Sequence, residues 1–141
     1  MNAKKYLSRV EIANLKINQK LKELSDMKIQ ATCSGGFDYS RERVQTSNEG
    51  DSLSSQISRY IDFEKEINAE IDRFYDLKHK IIAEIHELED LRHIDILFKR
   101  YIEFKSLEMI AVGMKISYVY ARQLHGEALR DFDRIVLKKE Q

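Results

Sequence analysis

The side chains best suited to a specific chemical task lie between residues 115 and 123. If a helix begins near Ser117, it presents Tyr118, Val119, Arg122 and Gln123 on a face that its apolar residues do not use. Arginine can bind guanine through two hydrogen bonds and glutamine can bind adenine likewise, while valine and tyrosine pack against thymine methyl groups or the sugar–phosphate edge. This combination is typical of a helix that reads base edges in the major groove of double-stranded DNA.

Further residues around this helix are suited to holding phosphate groups. Ser117 and the free amide groups at the helix start can bind one phosphate, and Lys115 in the preceding turn and Lys105 further upstream can contact others. Tyr120 either joins this surface or covers the junction with a neighbouring helix. The alternative for every one of these positions is an ordinary exposed residue.

A segment from Ser106 to Leu129 positions these side chains as two short helices joined by a turn. Ser106 and Ser117 are expected to cap the two helices, and Ala111 is the small residue needed where they cross. The apolar residues follow helical spacing on both sides of the turn: Leu107, Ile110, Ala111 and Met114, then Ile116, then Ala121, Leu124 and Ala128.

This segment resembles region 4 of bacterial sigma factors, a helix-turn-helix that reads promoter DNA. The resemblance runs over residues 97–132, about a quarter of the chain, and its best-matching pieces are RYI at 100–102, SLEMIA at 106–111 and ISYVYARQLHGEALRDF at 116–132. It implies that the promoter-contacting positions are Ser117, Tyr118, Val119, Arg122 and Gln123. The pattern usually has glycine in the turn, whereas this chain has Lys115 there and Gly113 two residues earlier. We therefore expect a left-handed lysine, at a cost of roughly 1 kcal/mol.

The chain as a whole is similar to small regulators of phages of Gram-positive bacteria, the ArpU-like and RinA-like late-transcription regulators. The opening MNAKKYLS and the segment EINAEIDRFYDLKHKI at 66–81 carry this likeness. The resemblance implies control of late phage genes in the cytoplasm of a bacterial host cell.

Composition indicates an all-α fold. Of 141 residues, 34% are charged and 43% hydrophobic, and there is no proline and no tryptophan. The formal net charge is zero, yet residues 1–30 carry seven bases and three acids, whereas residues 53–92 carry six bases and ten acids. A basic helix and an acidic helix are expected to pair. Residues 93–141, with nine bases and seven acids, are compatible with DNA without requiring it.

Two regions follow from the apolar periodicity. Residues 1–92 are predicted to form a helical hairpin or coiled-coil oligomerisation region, with a first helix over 3–30, a flexible loop over 31–52 and one long helix over 53–92. Residues 93–141 are predicted to form the helix-turn-helix module, with a lead-in helix over 94–104 and a second helix extending beyond Leu129. The long helix repeats every seven residues at Leu53, Tyr60, Ile67, Phe74, Ile81 and Leu88, with Ile57, Ile71 and Ile85 between them.

A seam of this length predicts a homodimer, because the first helix covers only part of it. Ile61, Leu77, Ile82 and Leu91 widen the seam, which indicates more than one partner helix. Two modules in one dimer would read two half-sites of an operator.

The remaining polar residues predict neither enzyme activity nor a metal or cofactor site. His79, His86 and His93 recur every seven residues, but such residues lie about 10 Å apart on a helix, too far to share one ion, so a solvated face is expected. Cys33 is the only cysteine, which excludes an internal disulfide and fits a reducing cytoplasm. No apolar run is long enough to cross a membrane.

Three functions remain open. The first is a sequence-specific, DNA-binding transcriptional regulator. The second is a protein-interaction module in which the same domain binds RNA polymerase or another regulator. The third is a small subunit of a DNA-packaging machine, although such subunits usually carry the DNA module at the N-terminus.

Overall fold

The computed structural model describes residues 2–34 and 48–139, with side chains for 2–30 and 53–139. All regular secondary structure in these residues is helical, which confirms the all-α class. The elements are α1 Ala3–Leu7, α2 Arg9–Ser34, α3 Asn48–Ile85, α4 Leu91–Tyr101, α5 Leu107–Met114, α6 Tyr118–Phe132 and a π-helical turn Asp133–Leu137.

Several predicted boundaries were wrong. The single helix expected over residues 3–30 is divided at Ser8, whose hydroxyl donates to the Lys4 carbonyl at 2.8 Å. The loop expected over 31–52 is helical at both ends, since α2 continues to Ser34 and α3 begins at Asn48; residues 35–47 and the Cys33 side chain lie outside the described part. The second helix of the predicted module extends beyond Leu129 to Phe132, as expected.

The long helix was expected to reach residue 92 but ends at Ile85. The lead-in helix was expected over 94–104 and is α4, which spans Leu91–Tyr101. A new helix starts after Asp90, because its side chain accepts a hydrogen bond from the Arg92 amide at 2.9 Å and caps α4. Between the helices, the amides of Glu87 and Leu88 bond to carbonyls three residues back. Their tighter turns close α3.

Residues 1–14 and 74–141 form one compact unit, and residues 15–73 form a second. The first unit therefore combines the start of the chain with everything after Arg73, a grouping that differs from the predicted boundary at residue 92. Its core takes residues from α1, the start of α2, the end of α3, and α4 to the π-helical turn: Ala3, Tyr6, Leu7, Val10, Ile81, Ile85, Leu88, Ile96, Leu97, Tyr101, Ile102, Ile110, Leu124, Ala128, Phe132 and Val136.

The same unit buries one carboxylate. Glu84 on α3 accepts hydrogen bonds from the Tyr6 hydroxyl, at 2.8 Å through Oε2 and 3.0 Å through Oε1. Lys80 Nζ lies 3.8 Å from Oε1. A carboxylate removed from water requires such partners, because charge-assisted hydrogen bonds replace its hydration.

The second unit consists of the later part of α2 and the earlier part of α3. Among the side chains of this unit that the structure describes, the buried apolar residues are Ile17 and Ile67, so this core is small. Lys20 on α2 forms ion pairs with Glu70 and, at 3.9 Å, with Glu66 on α3. Glu70 raises the pKa of Lys20 chiefly through its hydrogen bond. Basic and acidic residues of the two helices therefore pair as predicted, at least at this position.

Candidate nucleic-acid interface

The turn between α5 and α6 is held by backbone hydrogen bonds that fix the start of α6. The Ile116 amide donates to the Ala111 carbonyl at 3.0 Å, and the Lys115 amide donates to the Val112 carbonyl at 3.2 Å. This pair of bonds is a Schellman motif, which ends a helix through one left-handed residue. Lys115 takes that conformation, with φ 59° and ψ 43°, as the sequence predicted.

Both helices begin at the predicted caps. The Ser106 hydroxyl accepts from the Met109 amide at 3.3 Å, and the Ser117 hydroxyl accepts from the Tyr120 amide at 3.1 Å. These bonds satisfy backbone donors that a helix start leaves free. Ser117 Oγ already accepts a hydrogen bond in the cap. A phosphate at this position would therefore be bound by the neighbouring amides together with the Ser117 hydroxyl.

The packing stripes also lie where the spacing placed them. Buried in the first unit are Ile110, Ala111, Ala121, Leu124 and Ala128. Partly buried residues that pack against the core complete the set: Leu107, Met114 and Ile116. With one side of α6 fixed in this way, its other side is free to face a ligand.

The exposed side of α6 carries most of the predicted contact residues. Val119 is 74% exposed and Tyr118 43% exposed, and Arg122 and Gln123 are exposed one turn further on. The Arg122 guanidinium lies 5.9 Å from the centre of the Tyr118 ring. The Gln123 amide donates to Glu127 at 3.1 Å, so that this side chain must exchange a weak surface bond before it binds a base.

The sequence reasoning missed one further base on this face. Arg130 is exposed and follows Gln123 by seven residues, two helical turns, so it lies on the same side of α6. The seven-residue spacing from Gln123 could have predicted this position from the sequence. Of the two carboxylates in α6, Glu127 lies at the edge of this face and Asp131 bonds to His93 on α4. The face carries Arg122 and Arg130 against the one carboxylate of Glu127, and this excess of positive charge favours an anionic ligand.

Two predicted contact residues have partners within the protein. The Tyr120 hydroxyl accepts a hydrogen bond from Arg92 Nη1 at 2.8 Å, so Tyr120 covers the junction with α4, as one of its two interpretations held. Lys105 forms an ion pair with Glu103 at 2.8 Å, and its carbonyl lies 3.5 Å from Arg100 Nη1. Lys115 and Ser117 are exposed beside α6.

His93 joins α4 to the end of α6, which corrects the expectation of a solvated histidine. Its Nδ1 lies 3.0 Å from Asp131 Oδ2 and its side chain is only 12% exposed. The pKa of Asp131 is lowered, first by the hydrogen bond from Arg134 and then by that from His93. His79 and His86, in contrast, are exposed as predicted.

A second histidine, His125 of α6, contacts Tyr101 of α4, and no feature of the sequence predicted this contact. The Tyr101 hydroxyl lies 2.8 Å from His125 Nε2, with the two rings stacked 5.7 Å apart. Burial lowers the pKa of His125 to about 4, and the charges of Arg100 and Lys4 act in the same direction. Burial raises the pKa of Tyr101 to about 12. A neutral imidazole whose Nε2 accepts a hydrogen bond from the tyrosine hydroxyl satisfies both groups.

This contact predicts a loss of stability in mild acid. The unfolded His125 takes up a proton near its ordinary pKa of about 6.5, and the folded one only near 4, so between these values the unfolded state binds more protons. The free energy of unfolding should fall by about 1–2 kcal/mol over this range, after allowance for the partial solvent access of the ring. Below pH 4 the histidine contributes no further slope.

Urea unfolding at pH 7.0, 5.5 and 4.5 measures this effect. A His125→Gln variant, which keeps a hydrogen-bonding side chain without a titrating ring, is expected to show a smaller decline over the same range. Parallel curves for the two proteins would contradict the assignment.

Within the described residues, no cluster of histidine, cysteine, aspartate and glutamate has the geometry to hold a metal ion. Nor does any helix among them have the length and apolar character needed to span a membrane. No protein-family model matches the chain, and no curated protein or solved structure is significantly similar to it.

Proposed function

We propose that this protein is a sequence-specific DNA-binding regulator that inserts α6 into the major groove. The observation that carries the proposal is the exposed face of α6, on which Arg122 and Gln123 stand beside Val119 and Tyr118. These are the side-chain types that read guanine, adenine and thymine methyl groups. The capped start of α6 and its packed opposite side give such a face a fixed position.

The charges on the same side support a nucleic-acid ligand. Lys115 in the turn and Arg122 and Arg130 on α6 are all exposed, and the first amides of α6 follow Lys115 directly in the chain. Phosphates flanking a groove need bases and amide donors at such positions. With the likeness to sigma-factor region 4 and to phage late-transcription regulators, we infer a role in transcription, in which the target is promoter or operator DNA of a phage or prophage.

Replacement of Arg122 tests the proposal. Each bidentate contact to a base contributes about 1–3 kcal/mol of discrimination, so Arg122→Ala should weaken binding to the preferred duplex by roughly 10–100-fold. Binding to a scrambled duplex should fall far less. The control Arg73→Ala removes an exposed arginine from the second unit and should leave both affinities unchanged.

Fluorescence anisotropy with labelled duplexes from around the protein's own gene and the neighbouring promoters, over a salt series, gives these affinities. Preference for one duplex that weakens steeply with salt and disappears in Arg122→Ala supports a sequence reader. Equal weak binding to all duplexes, or none, would contradict it.

One observation favours a second candidate, the protein-interaction module that binds RNA polymerase or another regulator. On α5, Val112 is 80% exposed and Met109 is 61% exposed, three residues apart and therefore on one side of the helix. Exposed apolar pairs suit a protein surface better than a phosphate backbone. A pull-down with purified RNA polymerase, compared between wild type and Val112→Asp, distinguishes this function from DNA reading.

A further inference from the structure

In the second unit, residues 15–73, more of the described large apolar side chains are exposed than buried. Among its described side chains, the buried apolar residues are Ile17 and Ile67. The large apolar side chains that stay exposed outnumber them: Leu15, Leu21, Ile29, Leu53, Ile57 and Ile61. Because few of the described side chains are fully buried, burial offsets the conformational entropy lost on folding only in part. Additional apolar contact with the exposed residues would stabilise the two helices.

Three of these residues form a continuous line. Leu53, Ile57 and Ile61 follow one another at intervals of four residues along α3, so each lies one turn beyond the last on a single side of the helix. They are 44%, 48% and 42% exposed. We call this line the α3 stripe. Two of its members, Leu53 and Ile57, belong to the seven-residue repeat that is typical of helices packed against other helices.

The polar residues around the α3 stripe identify the partner that suits it. Residues 53–61 include one charged side chain, Arg59, and otherwise serine, glutamine and tyrosine. Residues 62–73 include five acids and two bases. A charged partner would find almost no counter-charge beside the stripe, whereas an identical apolar, charge-poor surface would meet it without repulsion.

We propose that the α3 stripe is the contact between two copies of this chain, packed antiparallel and centred on Ile57. In this arrangement Leu53 of one copy lies against Ile61 of the other, and two helices from each copy form a four-helix bundle. A parallel pair would bring the two acidic segments 62–73 side by side. An antiparallel pair carries them away in opposite directions, so like-charge repulsion selects this direction.

The mass in solution tests the contact, independently of any DNA binding. Light scattering on the full chain at micromolar concentration should give twice 16.7 kDa for the wild type. Ile57→Glu places a charge at the centre of the stripe and should give the mass of one chain. Ser55→Glu introduces the same charge on the opposite side of α3, at an exposed position, and should remain dimeric.

A wild-type protein with the mass of one chain would overturn the proposal, as would an Ile57→Glu variant with the mass of two. Since Ile57→Glu can also unfold α3, the milder Ile57→Ala is measured beside it. Truncation of a central contact should raise the dimer dissociation constant at least tenfold while far-UV circular dichroism at high concentration stays unchanged.

Cysteine cross-linking in a Cys33→Ser background tests the direction. In the antiparallel pair, Ile57→Cys places two thiols opposite each other, and a disulfide should form readily. Leu53→Cys should not cross-link to itself, because Leu53 faces Ile61 and the two Leu53 positions are eight residues apart, about 12 Å along the helices. Disulfides in both variants would establish the parallel arrangement and contradict the proposed one.

Discussion

Replacement of Phe132 by alanine is expected to cost about 3–5 kcal/mol of the free energy of unfolding. Phe132 is fully buried at the end of α6, and its ring centre lies 5.9 Å from that of Tyr6 in α1. Truncation leaves a cavity between α1 and α6, and the free energy lost combines the transfer of the ring from water with the cost of that cavity. Such a loss is a large part of the 5–15 kcal/mol typical of a domain.

Urea unfolding followed by circular dichroism measures this cost. Phe132→Leu keeps most of the volume and should lose roughly 1–2 kcal/mol. Tyr75→Ala, a truncation of an aromatic side chain that is 60% exposed, should change stability by less than 1 kcal/mol. A Phe132→Ala protein within 1 kcal/mol of the wild type would show that α1 and α6 do not share a core.

The Tyr6→Phe variant should lose about 2–3 kcal/mol although it removes a single oxygen atom. That hydroxyl donates to both oxygens of the buried Glu84 carboxylate, and without it Lys80 at 3.8 Å remains beside the carboxylate as an ion pair. Hydrogen bonds to a charged group contribute about 1.5–3 kcal/mol, and a buried charge that loses a donor is left incompletely solvated.

A double-mutant cycle separates this effect from a general packing defect. Glu84→Met removes the carboxylate while keeping a side chain of similar length. If the hydroxyl acts through Glu84, the protein with both substitutions should be more stable than the sum of the single losses predicts, by at least 1 kcal/mol. Additive losses would mean that Tyr6 and Glu84 stabilise the protein independently.

Phe132 and the Tyr6–Glu84 contact both join the N-terminal residues to the rest of the first unit. The N-terminal residues supply Tyr6, Leu7 and Val10 to a core that otherwise comes from residues after Arg73. The proposed DNA-reading helix α6 is packed against this core through Leu124, Ala128 and Phe132. Substitutions at Tyr6 or Phe132 should therefore lower the stability of the unit that holds α6, while Arg122→Ala should weaken the proposed DNA binding in a protein of normal stability.

Features that depend on neighbours within one or two helical turns follow from the amino-acid sequence. The caps at Ser106 and Ser117, the left-handed Lys115 and the buried sides of α5 and α6 were all predictable, since each rests on a bond or spacing of no more than five residues. The all-α class followed from composition and periodicity. The exposed candidates on α6 followed from the same periodicity, as the side that packing leaves free.

Contacts between residues far apart in the chain depend instead on how the helices pack. Tyr6 and Glu84 are 78 positions apart, His93 and Asp131 are 38 apart, and Arg92 and Tyr120 are 28 apart. Whether such pairs meet depends on the helix ends and crossing angles, and the end of α3 at Ile85 was itself missed because the long heptad pattern outweighed the Asp90 cap. Periodicity records which side of a helix is apolar, but it does not record which other helix covers that side.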